Sequence, residues 1–300
     1  MISQEATELI ASFRSDIKDS GLFTRSFSEQ RTNWDAFGES IPGYSNEIVI
    51  ESVDCDSVPS EWVRAPGANE NKILLHFHGG GYVIGHPNGY RNYNSRVSEA
   101  TGARVLAVDY RLAPEHPFPA AVDDTLAAYK WVLAQGYDPA QIGFMGESAG
   151  GGLVFATLLM ARDDGTPLPG AAVTISPWID LANTGDAHTF NAENDPMIAP
   201  TVLDTFAAAY LKETGPKTPL ASPLYSELRD LPPIYLLAGS TEVLLDDARS
   251  MFMKLSRAGV DTTMEVAPNM PHIWPIFAYQ LPEGRSAIAR IAAFINAKLQ

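Results

Sequence analysis

Three short stretches of this chain carry residue types that nucleophilic chemistry uses. "GFMGESAGGG" sets Ser148 in the pattern Gly146-Glu147-Ser148-Ala149-Gly150. Glycines on either side permit a tight turn crowded by its neighbours, so that a serine held there projects its hydroxyl. "LLHFHGGGYVIG" places Gly79, Gly80 and Gly81 after His78 and an apolar run. Backbone without side chains can approach a substrate closely and aim N–H donors at an oxygen that becomes negative during acyl transfer. The N–H groups of Gly80, Gly81 and Ala149 are the expected donors, and Gly79 completes this oxyanion loop by shaping it. "APNMPHIWPIF" supplies His272, whose imidazole titrates near neutrality and can take the serine proton and later return it.

A histidine in that role needs an acid to fix its tautomer and to stabilise the imidazolium. "STEVLLDDARS" offers Glu242, Asp246 and Asp247 within six positions. Three ionised carboxylates so close together cannot all be buried without partners. Asp246 and Asp247 open the amphipathic run "DDARSMFMKLSRAG", where the helix dipole favours negative charge, which explains both without chemistry. Asp246 stays open as an alternative acid or as a support for it. A metal site is the rival reading, because His76 and His78 alternate along one strand face. The remaining histidines, His86, His116, His188 and His272, form no His-Glu-x-x-His array, so neither a metal nor another cofactor is expected.

The elements that must position these residues follow from hydrophobic patterning. The chain opens with helices. Ile2, Ala6, Leu9, Ile10, Phe13 and Ile17 recur at helical spacing, and a second helix is predicted to open at Ser28 with Arg31 in its first turn. From residue 46 the pattern changes to short β-branched or leucine-rich runs, "KILLHFH", "ARVLAVDY", "QIGFMG", "AAVTIS" and "PIYLLAG", separated mostly by helix-length segments. That alternation implies an α/β fold with a mainly parallel, buried sheet and helices on both faces. Two closely spaced strands near 46–53 and 60–65 are expected to be antiparallel. Strands stop between Leu181 and Ser222, where "TVLDTFAAAYL" gives one helix among polar loops. Residues 1–45 and 183–220 therefore read as additions to a core formed by 46–182 and 221–300. No internal repeat is visible.

Composition excludes several classes. A formal net charge of −15 over 300 residues repels phosphate backbones and anionic headgroups, so nucleic acid is not an expected partner. The apolar runs are too short for stable membrane insertion. One cysteine, Cys55, cannot form an internal disulfide, and the chain reads as cytoplasmic.

Taken together, these motifs resemble the hormone-sensitive-lipase-like bacterial carboxylesterases of the α/β-hydrolase superfamily. The resemblance rests on "HGGG" at 78–81, "DYRLAPEHPFPAAVDD" at 109–124, "GESAGG" at 146–151 and "SPWIDL" at 176–181. It implies an eight-stranded core, a helical cap made from 1–45 and 183–220, and the chain order serine, acid, histidine. The family's acid begins a segment Asp-Pro-Leu-x-Asp-Glu; here "EVLLDD" stands in its place, which assigns the acid to Glu242 with Val243 replacing the proline. Glu147, where many relatives carry aspartate or threonine, is expected to hydrogen-bond around the turn and is given no catalytic step. Arg111 and Glu115 are expected to order their loop. Tyr82, Trp178 and apolar residues between 190 and 215 are candidates for an acyl pocket and equally for the core. The implied reaction is hydrolysis of short- to medium-chain carboxylic esters through an acyl-enzyme on Ser148, with lactones as the alternative substrate. A non-catalytic receptor on the same fold is the distant alternative, and His272 argues against it. A homodimer through the strand "TTMEVAP" is left open, since an edge can equally be blunted by its own loops.

Overall fold

A computed structural model describes residues 2–299; Met1 and Gln300, the outer ends of two expected segments, lie outside the described residues. Eight strands form one sheet: β1 (Val49–Asp54), β2 (Pro59–Arg64), β3 (Asn69–Phe77), β4 (Ala103–Val108), β5 (Ile142–Glu147), β6 (Ala171–Ile175), β7 (Ile234–Gly239) and β8 (Thr262–Ala267). Their spatial order is β1-β2-β4-β3-β5-β6-β7-β8. The β1–β2 and β2–β4 pairs are antiparallel and every pairing from β4 to β8 is parallel. The central strands β5, β6 and β7 are buried at every position, which is why their sequences are continuous apolar runs and not alternating ones.

Nine α-helices accompany the sheet among the described residues: α1 (Gln4–Phe13), α2 (Phe27–Ser40), α3 (Arg91–Thr101), α4 (Ala120–Ala134), α5 (Ala149–Asp164), α6 (Ala187–Phe190), α7 (Pro200–Leu211), α8 (Leu245–Arg257) and α9 (Pro282–Lys298). Helix α3 packs on α9, and α4 on α5. No helix is long and apolar enough to cross a membrane. The chain leaves β3 for β4 on one side and returns to β5 on the other. The loops after β3 and β5 thus meet at the carboxyl edge where the strand order reverses, the place where open α/β sheets bind ligands.

The amino-terminal helices depart from the sequence reading in their boundaries. Helix α1 ends at Phe13 and continues as a π-helical turn over Arg14–Lys18. Helix α2 begins at Phe27, one residue before the expected Ser28. Ser26 is its cap, because the Ser26 hydroxyl accepts from Glu29 N–H while the Glu29 carboxylate accepts from Ser26 N–H, a reciprocal capping box. Arg31 consequently leaves the first turn and reaches across to the core. It donates to Val83 O (2.8 Å), to Ala113 O (2.7 Å) and to the carboxylate of Glu115 (2.7 and 3.0 Å). The ordering role expected of Glu115 is therefore shared with α2, whereas Arg111 pairs with Asp124 on α4.

The Arg31–Glu115 pair is half-exposed and contributes little alone, but the two carbonyl contacts are partly buried and lose their donor if Arg31 is removed. Arg31→Ala is expected to lower the melting temperature by about 2–6 °C, measured by circular dichroism with wild type alongside.

Candidate active site

Ser148 sits between β5 and α5 with φ 55° and ψ −122°, a conformation that side-chain-bearing residues rarely adopt. Crowding explains it. A Cβ on Gly150 would stand 1.9 Å from Phe77 O at the end of β3, so only glycine lets α5 start this close to the sheet. The turn is pinned by backbone hydrogen bonds on both sides: Ser148 N–H donates to Ile175 O (3.0 Å) and Ser148 O accepts from Trp178 N–H (2.9 Å). Among the described residues the Ser148 hydroxyl makes no hydrogen bond, and it faces a small apolar cavity that His272 also lines.

His272 follows β8 and is buried, with Nδ1 2.9 Å from Glu242 Oε2. Glu242 is fully buried at the start of the segment after β7. Its other oxygen, Oε1, accepts from the Ser176 hydroxyl (2.7 Å) and from Gly239 N–H. Burial raises the Glu242 carboxyl above its ordinary range, against the opposing pull of His272 and of the Gly239 and Ser176 donors. With Nδ1 committed to Glu242, Nε2 is the ring nitrogen left for other work.

Gly80, Gly81 and Ala149 have N–H groups with no backbone acceptor among the described residues, and all three stand at the loops beside Ser148. Gly81 adopts φ +60°, and a Cβ there would meet Phe206 of α7 at 2.0 Å. Gly79, expected to shape this loop and not to donate to an oxyanion, has its own N–H engaged. Its N–H donates to Glu147 Oε1 at 2.6 Å, so it is not free to meet an oxyanion. The metal reading of His76 and His78 finds both rings otherwise engaged. His76 Nε2 bonds Glu147 Oε2 at 2.8 Å, while His78 stacks on Tyr110 and bonds Gly79 O at 2.7 Å. Burial lowers the His78 pKa to about 4, which keeps that ring neutral.

The acidic cluster separates by neighbour. Asp246, left open as an alternative acid or its support, makes no side-chain hydrogen bond to Glu242 or His272 among the described residues; its carboxylate accepts from Ala187 N–H at the start of α6 (2.8 Å) and pairs with Arg249. Asp247 is buried, accepting from Ile179 N–H (2.9 Å) and Asp180 N–H (3.0 Å), a role beyond the helix dipole. Tyr82, left open between pocket and core, is buried in the core. It stacks on Tyr210 with ring centroids 3.9 Å apart and is absent from the cavity lining, so it belongs to the core. Trp178 does line the cavity.

Two supporting residues escaped the sequence reading. Ser176 joins the pair by donating to Glu242 and accepting from Ile273 N–H (3.0 Å), and its only signal was its position in "SPWIDL" at the end of β6. Asp195, fully buried, accepts from Val243 N–H (3.0 Å) beside Glu242 and from Met197 and Ile198 N–H. Nothing local in "NAENDPM" separates it from a solvated loop acid.

The cavity at Ser148 measures about 50 Å³ and a second one of about 370 Å³ lies beside it. Phe23, Trp34, Ile84 and Met197 line both and so form the wall between them. The amino-terminal segment and the 183–220 segment meet over this region, where Phe23 and Phe27 pack edge-on against Phe206.

Comparison with known proteins gives concordant results. A family model described as the alpha/beta hydrolase fold matches residues 74–276. An acetyl-hydrolase from Streptomyces hygroscopicus is 46% identical over 237 residues, covering 79% of each chain. An esterase from Acinetobacter venetianus is 32% identical over 248 residues, covering 82% of each. A crystal structure of an esterase from the bacterial hormone-sensitive lipase family superposes with a TM-score of 0.95 at 44% identity, over the full length of both chains. With the eight-stranded sheet and the site on its carboxyl edge, these matches show that the chain belongs to the α/β-hydrolases, among the hormone-sensitive-lipase-like bacterial carboxylesterases.

Proposed function

We propose that this protein is a serine carboxylesterase in which Ser148, His272 and Glu242 act together on short- to medium-chain esters. The observation that carries the reading is the buried Glu242–His272 contact of 2.9 Å opening onto the same cavity as the strained Ser148 turn. Relatives named acetyl-hydrolase and esterase support the same class.

In this mechanism Ser148 Oγ attacks the ester carbonyl while His272 Nε2 takes its proton. The carbonyl π bond opens, and the negative oxygen receives N–H donors from Gly80, Gly81 and Ala149. Collapse breaks the bond to the alkoxy oxygen, which leaves with the proton held on His272. Water then attacks the acyl-enzyme by the same route and releases the acid and free Ser148. Glu242 stabilises the imidazolium at each stage.

Residues 1–45 and 183–220 serve in this reading as a cap over the catalytic core of 46–182 and 221–300. The small inner cavity suits a short acyl group, and the larger outer one receives longer chains only past the shared wall. Its single cysteine, free and buried, suits work in the cytoplasm. Strand β8 at the sheet edge is the surface through which two copies would pair.

Hydrolysis of p-nitrophenyl butanoate tests the class. Wild type is expected to turn over without loss to a chelator, and Ser148→Ala to lose at least about 10³-fold in kcat. Equal activity in both would remove Ser148 from the mechanism. Glu242→Gln is expected to lower kcat by about 10²- to 10⁴-fold, while Asp246→Asn stays within about two-fold; the reverse order would move the acid. Trp34→Ala is expected to raise kcat/KM for the octanoate relative to the butanoate by about 3- to 10-fold, read from a chain-length panel.

A further inference from the structure

Glu147, the residue immediately before Ser148, is fully buried, and both of its oxygens are engaged by the neighbouring strand and its loop. Oε1 accepts from Gly79 N–H at 2.6 Å, and Oε2 meets His76 Nε2 at 2.8 Å. His76 lies on β3 beside Met145 of β5, and Gly79 directly precedes the two glycines that line the cavity at Ser148. One side chain therefore ties the strand that presents the nucleophile to the loop that presents the oxyanion donors. The tie is dry and held from the side. The His76 ring packs against Tyr90 and Tyr93, with centroids at 5.3 and 5.8 Å, and a Cβ on Gly79 would stand 3.4 Å from the Tyr90 hydroxyl. A hydrogen bond excluded from water is stronger and more directional than an exposed one, and removing its acceptor would orphan a buried N–H.

We propose that Glu147 is a positioning residue for the reaction: by holding Gly79 N–H it fixes the peptide planes of Gly80 and Gly81, so that their donors point where the oxyanion forms. The proposal rests on the reading of Ser148 as nucleophile and of Gly80 and Gly81 as donors. Because the donors matter most when the oxygen is charged, disturbing the tie acts on the transition state more than on ester binding.

The test compares wild type, Glu147→Ala, Glu147→Gln and His76→Ala, with kcat expressed per site titrated to completion by an organophosphate, so that unfolded protein is not counted. The probe is an alkyl trifluoromethyl ketone. Ser148 Oγ adds to its carbonyl carbon, the π bond opens, the proton passes to His272, and a negative oxygen occupies the hole. Glu147→Ala is expected to lower kcat by about 30- to 300-fold with KM for p-nitrophenyl butanoate within about two-fold, and to weaken the ketone in parallel. Glu147→Gln keeps an oxygen that accepts from Gly79 N–H and is expected to recover to within about five-fold of wild type. If Glu147→Ala does not fold, His76→Ala, which frees Oε2, is expected to lower kcat and ketone affinity together by about 5- to 20-fold. A kcat per titrated site within three-fold of wild type in the variant that folds overturns the proposal, as does an unchanged ketone affinity or a Gln variant as impaired as the Ala variant. A wild type that takes up no organophosphate at Ser148 overturns the esterase mechanism itself, and this proposal with it.

Discussion

The site depends on how closely the first turn of α5 approaches the carboxyl end of β3. That approach leaves no room for a side chain at Gly150 and holds Ser148 at positive φ. Backbone strain of this kind costs about 1–3 kcal/mol and persists only where the surroundings over-determine it. Here they do so through the bonds from Ser148 N–H to Ile175 O and from Trp178 N–H to Ser148 O, which anchor the turn to β6 and the segment after it. The same proximity sets Ala149 N–H, at the open end of α5, next to the glycine loop after β3. One steric constraint thus sets both the Ser148 turn and the N–H group of Ala149 beside the glycine loop.

Around that turn the chain buries carboxylates that bulk water would otherwise solvate, and each one is met by donors. Glu242 has His272, Ser176 and Gly239; Glu147 has Gly79 and His76; Asp195 has three backbone N–H groups; Asp247 has two. Burial raises the carboxyls of Glu242, Asp195 and Asp247, helped at Asp247 by the charge of Asp180, and the donors pull in the opposite direction. A buried acceptor stripped of its donors is expensive, so these networks specify one arrangement of the loops more sharply than apolar packing would.

The two segments over the site are joined to it by similar means. Lys18 donates to Ala192 O (2.6 Å) and Asp195 O (2.7 Å), and the Asp195 side chain continues the connection to Val243 beside Glu242. In a chain with a net charge of −15, this lysine is spent on backbone carbonyls and not on surface ion pairs. The amino-terminal helices are thereby linked, through one loop, to the backbone that carries Glu242. Aromatic packing of Phe206 on Phe23, Phe27 and the bare backbone of Gly81 closes the other side.

By itself the sequence determined the alternation of strand and helix, the glycine-flanked turn at Ser148, the glycine loop and the short list of candidate acids, because these depend on local residue types and on chain order. Buried parallel strands must be apolar throughout, and a tight turn under a helix must be glycine, so both leave marks in a few consecutive residues. Tertiary structure alone decided which neighbouring groups meet. It gave the Gly79 N–H to Glu147, removed Asp246 from the histidine and tied it to α6, assigned Tyr82 to the core, and brought Ser176 and Asp195 to the acid across 66 and 48 residues of chain. It also moved the start of α2 to Phe27, where the reciprocal cap at Ser26 competes better than Ser28. The physical reason is the same in each case: a hydrogen bond depends on distance and direction in space, and sequence patterning fixes those only within a turn or two of the chain.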